Sequence, residues 1–134
     1  MIDIEDIVLA EVVRVVRAEY PTIRMEDQYF DNPPEFPFIH IEEQFNIRDK
    51  YAVDSDQVEK FAKVTYLVNV YSNLDKGRKD EAKEIMALVD SAMSSMGFMR
   101  VNQQRLSNIS DSTIYRIVAR YDAKVDHEHR ISRR

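Results

Sequence analysis

His127-Glu128-His129 is the stretch most like a metal site, since two imidazoles flanking a carboxylate could turn toward one ion. A bound transition metal needs three or four ligands held at fixed distances. Here the motif fixes no third ligand and stands in the polar tail DHEHRISRR, so a solvated tail is the plainer reading and no metal or cofactor is expected. Glu42 and Glu43 are neighbours, and on a strand neighbours point to opposite faces, so they cannot serve one substrate as an acid and base pair. Glu84 and Asp90 fall on the wet side of a helix. His40 has no acid or base partner in its local sequence, and no serine sits in a nucleophile elbow. Cysteine is absent, which removes disulfides, thiolate ligands and a thiol nucleophile together. Two glycines in the whole chain cannot build a GxGxxG or Walker loop. No catalytic residue is therefore expected.

Arginine and tyrosine offer a different chemistry. Arg100, Arg105, Arg116 and Arg120 with Tyr66, Tyr71, Tyr115 and Tyr121 have the residue types of a face that stacks bases and holds phosphates. Period-two alternation puts Tyr115 and Tyr121 opposite Arg116 and Arg120, however, which spoils a stacking platform.

The elements that would position these groups are read from periodicity. In Lys79 to Gly97, the residues Ala82, Ile85, Met86, Val89, Ala92, Met93 and Met96 recur at three- and four-residue steps, an apolar stripe on one side of a helix that Gly97 can end. Asp3 to Tyr20 reads as a first helix with Ile4, Ile7, Val8, Val12, Val15 and Val16 inward, Asp3 as its cap and Pro21 as its stop. Residues 22–37 read as a connection with one weak strand at most, its aromatics packing back on the domain. In Phe38 to Ile47 the alternation places Ile39, Ile41, Phe45 and Ile47 on the buried face. Phe61 to Asn73 is apolar on both faces, as a central strand should be. After the second helix, FMRVNQQRLSN and Thr113 to Val125 give two more strands. The expected fold is α+β, in the order α-β-β-α-β-β, with a mostly antiparallel sheet of about four strands and both helices on one face. One domain spans 1–134, with a flexible basic arm from about 127 to 134.

The polar run Arg48 to Lys60 is long for a hairpin connection. Its Tyr51, Val53 and Val58, with Arg48 and Lys50, either pack on a neighbouring molecule or belong to a solvated flap. No apolar run approaches the roughly 18 residues of a membrane helix, and the acidic N-terminus is unlike a signal peptide, so synthesis in a cytoplasm and no membrane partner are expected. The 134 residues carry a net charge of -5, unevenly spread. Residues 1–62 hold fifteen Asp or Glu against six Lys or Arg, and residues 63–134 hold nine against thirteen. One reading is an acidic first helix and chance; the other is a head-to-tail contact in which the acidic surface of one copy meets the basic surface of the next. So acidic a chain is not expected to grip nucleic acid broadly.

The run YLVNVYSNLDKGRKDEAKEIMALVDSAMSSMGFMRV, then STIYRIVARYDAKVD and a terminal RISRR, resembles small tail terminator or tail completion proteins of tailed bacteriophages and prophages of Gram-positive bacteria. The resemblance covers about the last half of the chain. It implies a non-enzymatic structural protein of the virion neck, built in the host cytoplasm. Such a protein caps the head-proximal end of the tail tube as a hexameric ring, stops tube growth and joins the head connector, with DNA passing through unbound. Its partners would be further copies of itself, the tail tube protein and the head-completion or connector protein. A free chain that is monomeric is compatible with a ring that forms only on the tube end. Interface roles are expected for Arg48, Lys50, Tyr51, Val53 and Val58 of the long loop, for Arg116 and Arg120, and for Arg130, Arg133 and Arg134 of the tail. Another neck component, such as a head-closure protein or a collar ring, is the nearer alternative. A small α+β nucleic-acid-binding module or enzyme is the distant one.

Overall fold

A computed structural model of the chain describes residues 1–30, 32–48, 61–107 and 111–132. Its centre is β3 (Phe61–Ser72), whose Val64, Tyr66, Val68 and Val70 are fully buried on one face. On one flank β3 pairs antiparallel with β2 (Phe38–Arg48), and on the other with β5 (Tyr115–Asp126). β4 (Met99–Ser107) pairs antiparallel with β5 and forms an outer edge. The register stacks Ile39 and Ile41 beside Val70 and Val68, and these beside Ile117 and Ala119, so one face carries a continuous aliphatic layer.

Two helices cover that face and share one core with it, as expected. α2 (Arg78–Met96) buries Ala82, Ile85, Met86, Val89, Ala92 and Met93, the expected stripe. Each such side chain removed from water stabilises the fold by roughly 1–3 kcal/mol. β3 and β4 both oppose β5, so they run parallel with β5 between them, and α2 must cross over β5 to connect them. The helix ends at Gly97, φ 105°, where the N–H of Gly97 donates to the Ser94 carbonyl and that of Phe98 to the Met93 carbonyl, 3.0 Å each. Its start has no side-chain cap: Gly77 holds the cap position, and Ser72 Oγ donates to Glu81 Oε1 at 2.7 Å. α1 (Glu5–Arg17) buries Val8, Val12 and Val16, while Ile7, expected inward, is 50% exposed. Asp3 is not the cap residue, which is Ile4, though its Oδ1 accepts the Glu5 N–H at 3.0 Å.

The sheet is larger than expected and mixed. β1 (Arg24–Glu26) lies parallel to β2, and β6 (Ile131–Ser132) lies antiparallel to β5, giving six strands. A second correction concerns β2. Its register with β3 shifts between Glu43 and Phe45, a bulge at Gln44. One extra residue reverses every side chain beyond it. Phe45 and Ile47 therefore leave the face of Ile39 and Ile41 and stand 54% and 57% exposed on the other. The described part of the tail joins the sheet. His127–Arg130 form a tight turn that returns Ile131 to β5, clamped by Asp126, whose carboxylate accepts the Glu128 and Arg130 N–H groups and Arg130 Nε at 2.9, 2.8 and 2.7 Å.

Candidate functional site

The sheet face away from the helices is built in two zones. Near the start of β2 it is roofed by the chain between β1 and β2. Phe30 and Phe36 pack there on Phe38, Tyr71 and Ile114, a small second core. Phe38 meets Phe30 edge to face at 5.6 Å. The aromatics of this connection thus pack back on the domain, as expected.

Beneath the same roof lies a connected polar arrangement. Arg116 Nε donates to Asn69 Oδ1 at 2.9 Å, and Asn69 Nδ2 stands 2.9 Å from His40 Nδ1. Because Arg116 can only donate, it fixes the Asn69 amide with its oxygen toward β5 and its NH2 toward His40. His40 Nδ1 must then accept, so the neutral ring carries its proton on Nε2. That nitrogen has no hydrogen-bond partner, and Glu42 Oε1, 3.4 Å away, lacks the alignment to be one. Tyr29 closes the site, its ring edge-on to His40 at 5.6 Å and its hydroxyl 3.3 Å from Arg116 Nη1. The Arg116 guanidinium also lies over the Tyr29 and Tyr71 rings, at 5.5 and 5.6 Å.

Burial pushes the His40 pKa below its ordinary value; the Arg116 charge adds to this, while Glu42 and Asp27 oppose it. The imidazole is wholly buried, and the arrangement forms a strut across the three strands β2, β3 and β5. His127 and His129, the sequence's candidate metal ligands, lie on the exposed turn before β6. Among the described residues no three His, Cys, Asp or Glu side chains are placed to hold a metal ion.

A second polar cluster sits between α2 and the sheet. The Tyr121 hydroxyl donates to Asp90 Oδ1 at 2.9 Å, and Arg100 approaches the same carboxylate at 3.5 Å, beside an open cleft of about 180 Å³. Asp90 is thus half-buried and engaged, where the helical pattern placed it on the wet side.

A third cluster is all acidic and gathers at the outer side of β2. Burial raises the carboxyl of Glu5, and Asp27, Asp3, Asp6 and Glu42 push it further. Glu43 is raised by burial first; Asn46 and Tyr66 hydrogen bonds lower it, while Asp3 and Glu5 add to the rise. No sequence window contains this group, because Asp3, Glu5, Asp6, Asp27, Glu42 and Glu43 come from three separate stretches of the chain that only the fold brings near one another.

The expected interface residues are scattered over this body. Arg48 is exposed at the end of β2. Lys50, Tyr51, Val53, Val58, Arg133 and Arg134 lie outside the described residues. Arg116 is committed to the strut. Arg120, on the same face, donates from Nε to Gln44 Oε1 at 3.3 Å. Arg130 is engaged by its own chain, at 2.7 Å from Asp126 and 3.6 Å from Glu128. What sequence reasoning missed is the joining of Tyr29, His40 and Asn69; cross-strand register pairs His40 with Asn69, and Tyr29 reaches them from the connection before β2.

No protein-family model matches this sequence, and no curated protein does. Among solved structures, a chain from the virion of a native gene transfer agent (GTA) particle is similar, with a TM-score of 0.64 at 15% identity, covering 89% of this chain and 91% of that one. The likeness is one of fold, over nearly the whole of both chains.

Proposed function

We propose that this chain is a structural virion protein that caps the head-proximal end of a phage tail tube, ends its growth and joins it to the head connector as a six-membered ring. The observation that carries the virion reading is the fold likeness to a chain of a phage-like particle over nearly its full length. The tail-end role comes from the resemblance of the YSN turn, the helix ending in MGF and the IYRIVARY strand to tail terminator proteins. The candidate site fits an architectural part. Its one buried imidazole is shut from solvent, and its arginines are spent on bracing strands. The acidic balance of the chain suits a channel through which DNA slides, since basic walls would hold phosphates.

Electron microscopy of particles made without the protein tests this. Overlong tails, or tails detached from filled heads, are the expected result. Tailless heads that lose their DNA would move the protein to head closure, and particles of normal form and infectivity would refute both assignments.

A further inference from the structure

Among the described residues, both long edges of the sheet are open. β1 pairs with β2 only from Phe38 to His40, so Ile41 to Arg48 have no strand beyond them among the described residues. On the other side nothing described pairs with the outer edge of β4. Free edges of this length are normally avoided, because their unpaired N–H and C=O groups recruit other strands. The two edges differ in a complementary way. The free part of β2 carries exposed Phe45 and Ile47 and, with Glu42 and Glu43, adjoins the acidic cluster. β4 carries exposed Met99 and Val101, with Arg100 and Arg105 and no acidic residue.

Strand direction adds a geometric argument. β2 opposes β3, β3 opposes β5 and β5 opposes β4, so β2 and β4 are antiparallel to each other. A second copy set beside the first in the same orientation would bring its β2 against β4 antiparallel, with helices still on one side. Side chains facing each other across such a pair share a sheet face. Glu43, hydrogen-bonded to Tyr66, is on the helix side, as are Arg100 beside Tyr121 and Arg105 over the Tyr115 ring. Phe45 and Ile47 are on the far side, as is Met99, whose strand partner is Asp122.

We propose that copies of this chain assemble by pairing β2 of one with β4 of the next, edge to edge and antiparallel, so that one sheet runs on from copy to copy. The contact is heterologous, so it repeats until it closes, and sheet twist gives it a constant turn. This deepens the ring reading by naming the strands that would make it, and it rests on that reading for its occupant, a second copy.

The chain has no cysteine of its own, so two single variants, Ile47→Cys and Met99→Cys, can be joined by a short bismaleimide. Both side chains are exposed, 57% and 42%, and both stand on the sheet face away from the helices, so neither change touches the core. Particles containing both variants should yield a cross-linked dimer on denaturing gels; particles containing either alone should not. A chain carrying both cysteines should give a ladder. No cross-link in particles that contain the protein, or cross-links between like cysteines, overturns the edge contact. Particles that exclude the protein refute the virion reading instead, and the same assay on the concentrated free chain then decides the edge contact, with a chain that stays monomeric and unlinked overturning it.

Discussion

Replacing His40 by glutamine tests the strut through its pH dependence. The Arg116 to Asn69 to His40 chain holds the imidazole as a buried acceptor, so protonation would set a donor against the Asn69 NH2 and a charge beside Arg116. Folding therefore lowers the pKa from its ordinary 6.5. The unfolded chain takes up the proton first as pH falls, so stability is complete above about pH 6.5 and declines below it until the folded imidazole also titrates. An imidazole that stayed neutral throughout would cost about 2 kcal/mol at about pH 5, against a total of roughly 5–15 kcal/mol for a domain. Glutamine can accept from Asn69 through Oε1 and does not titrate. The raised carboxyls of Glu5 and Glu43 act in the opposite sense, gaining stability as pH falls through their folded values, and they are common to both proteins. The quantity to measure is thus the difference in urea unfolding free energy between wild type and His40→Gln at about pH 7.5 and about pH 5. It should move toward the variant by up to about 2 kcal/mol. A difference that stays constant between the two pH values would show that His40 protonates as easily folded as unfolded, and the buried-acceptor argument would fail.

Three further substitutions grade the packing around α2. Gly97→Ala places a Cβ 3.2 Å from Ile131 Cγ2 and 3.3 Å from the Ile131 carbonyl oxygen at φ 105°, whereas Gly77→Ala at φ 85° meets nothing within 4 Å. Gly77→Ala should cost about 1 kcal/mol from backbone strain alone, and Gly97→Ala clearly more, with faster amide exchange in β6; equal melting temperatures for the two would refute the contact with Ile131. Tyr121→Phe keeps the buried ring and removes the hydroxyl that donates to Asp90 at 2.9 Å. Because Asp90 is partly solvated, the loss should be about 1 kcal/mol with an unchanged denaturant slope, and an unaltered midpoint would mean that water serves Asp90 equally well.

The elements with strong periodicity were legible in the sequence because one force set both pattern and place. The stripe of α2 and the alternation of β3 and β5 each describe a surface that must be covered, and they cover one another. Strands of two or three residues have no period to read. Arg24–Glu26 and Ile131–Ser132 are extended because β2 and β5 offer them backbone groups to pair with, a choice made by tertiary context. The tail looked too polar to fold because its anchor is a single residue, Ile131, returned by a turn that Asp126 organises.

The polar strut and the edge chemistry were hidden for a more specific reason. His40 and Asn69 are direct partners across β2 and β3, and Arg116 sits one step away on β5, so their meeting depends wholly on register. Register also decides what β2 exposes. Strict alternation put Phe45 and Ile47 in the core, where they would have been two more members of the same apolar layer and of no functional interest. The bulge at Gln44 turns them outward beside a run of carboxylates. A strand kept regular would have buried its apolar groups and left a purely polar edge, which repels strands by desolvation and charge. The irregular one keeps Asn46 facing inward, where its amide donates to the Ile2 carbonyl at 2.7 Å and ties the N-terminus to the sheet. The same inserted residue therefore turns Asn46 toward the N-terminus and bares Phe45 and Ile47 next to Glu42 and Glu43, so the edge proposed to join copies owes its chemistry to a single break in alternation.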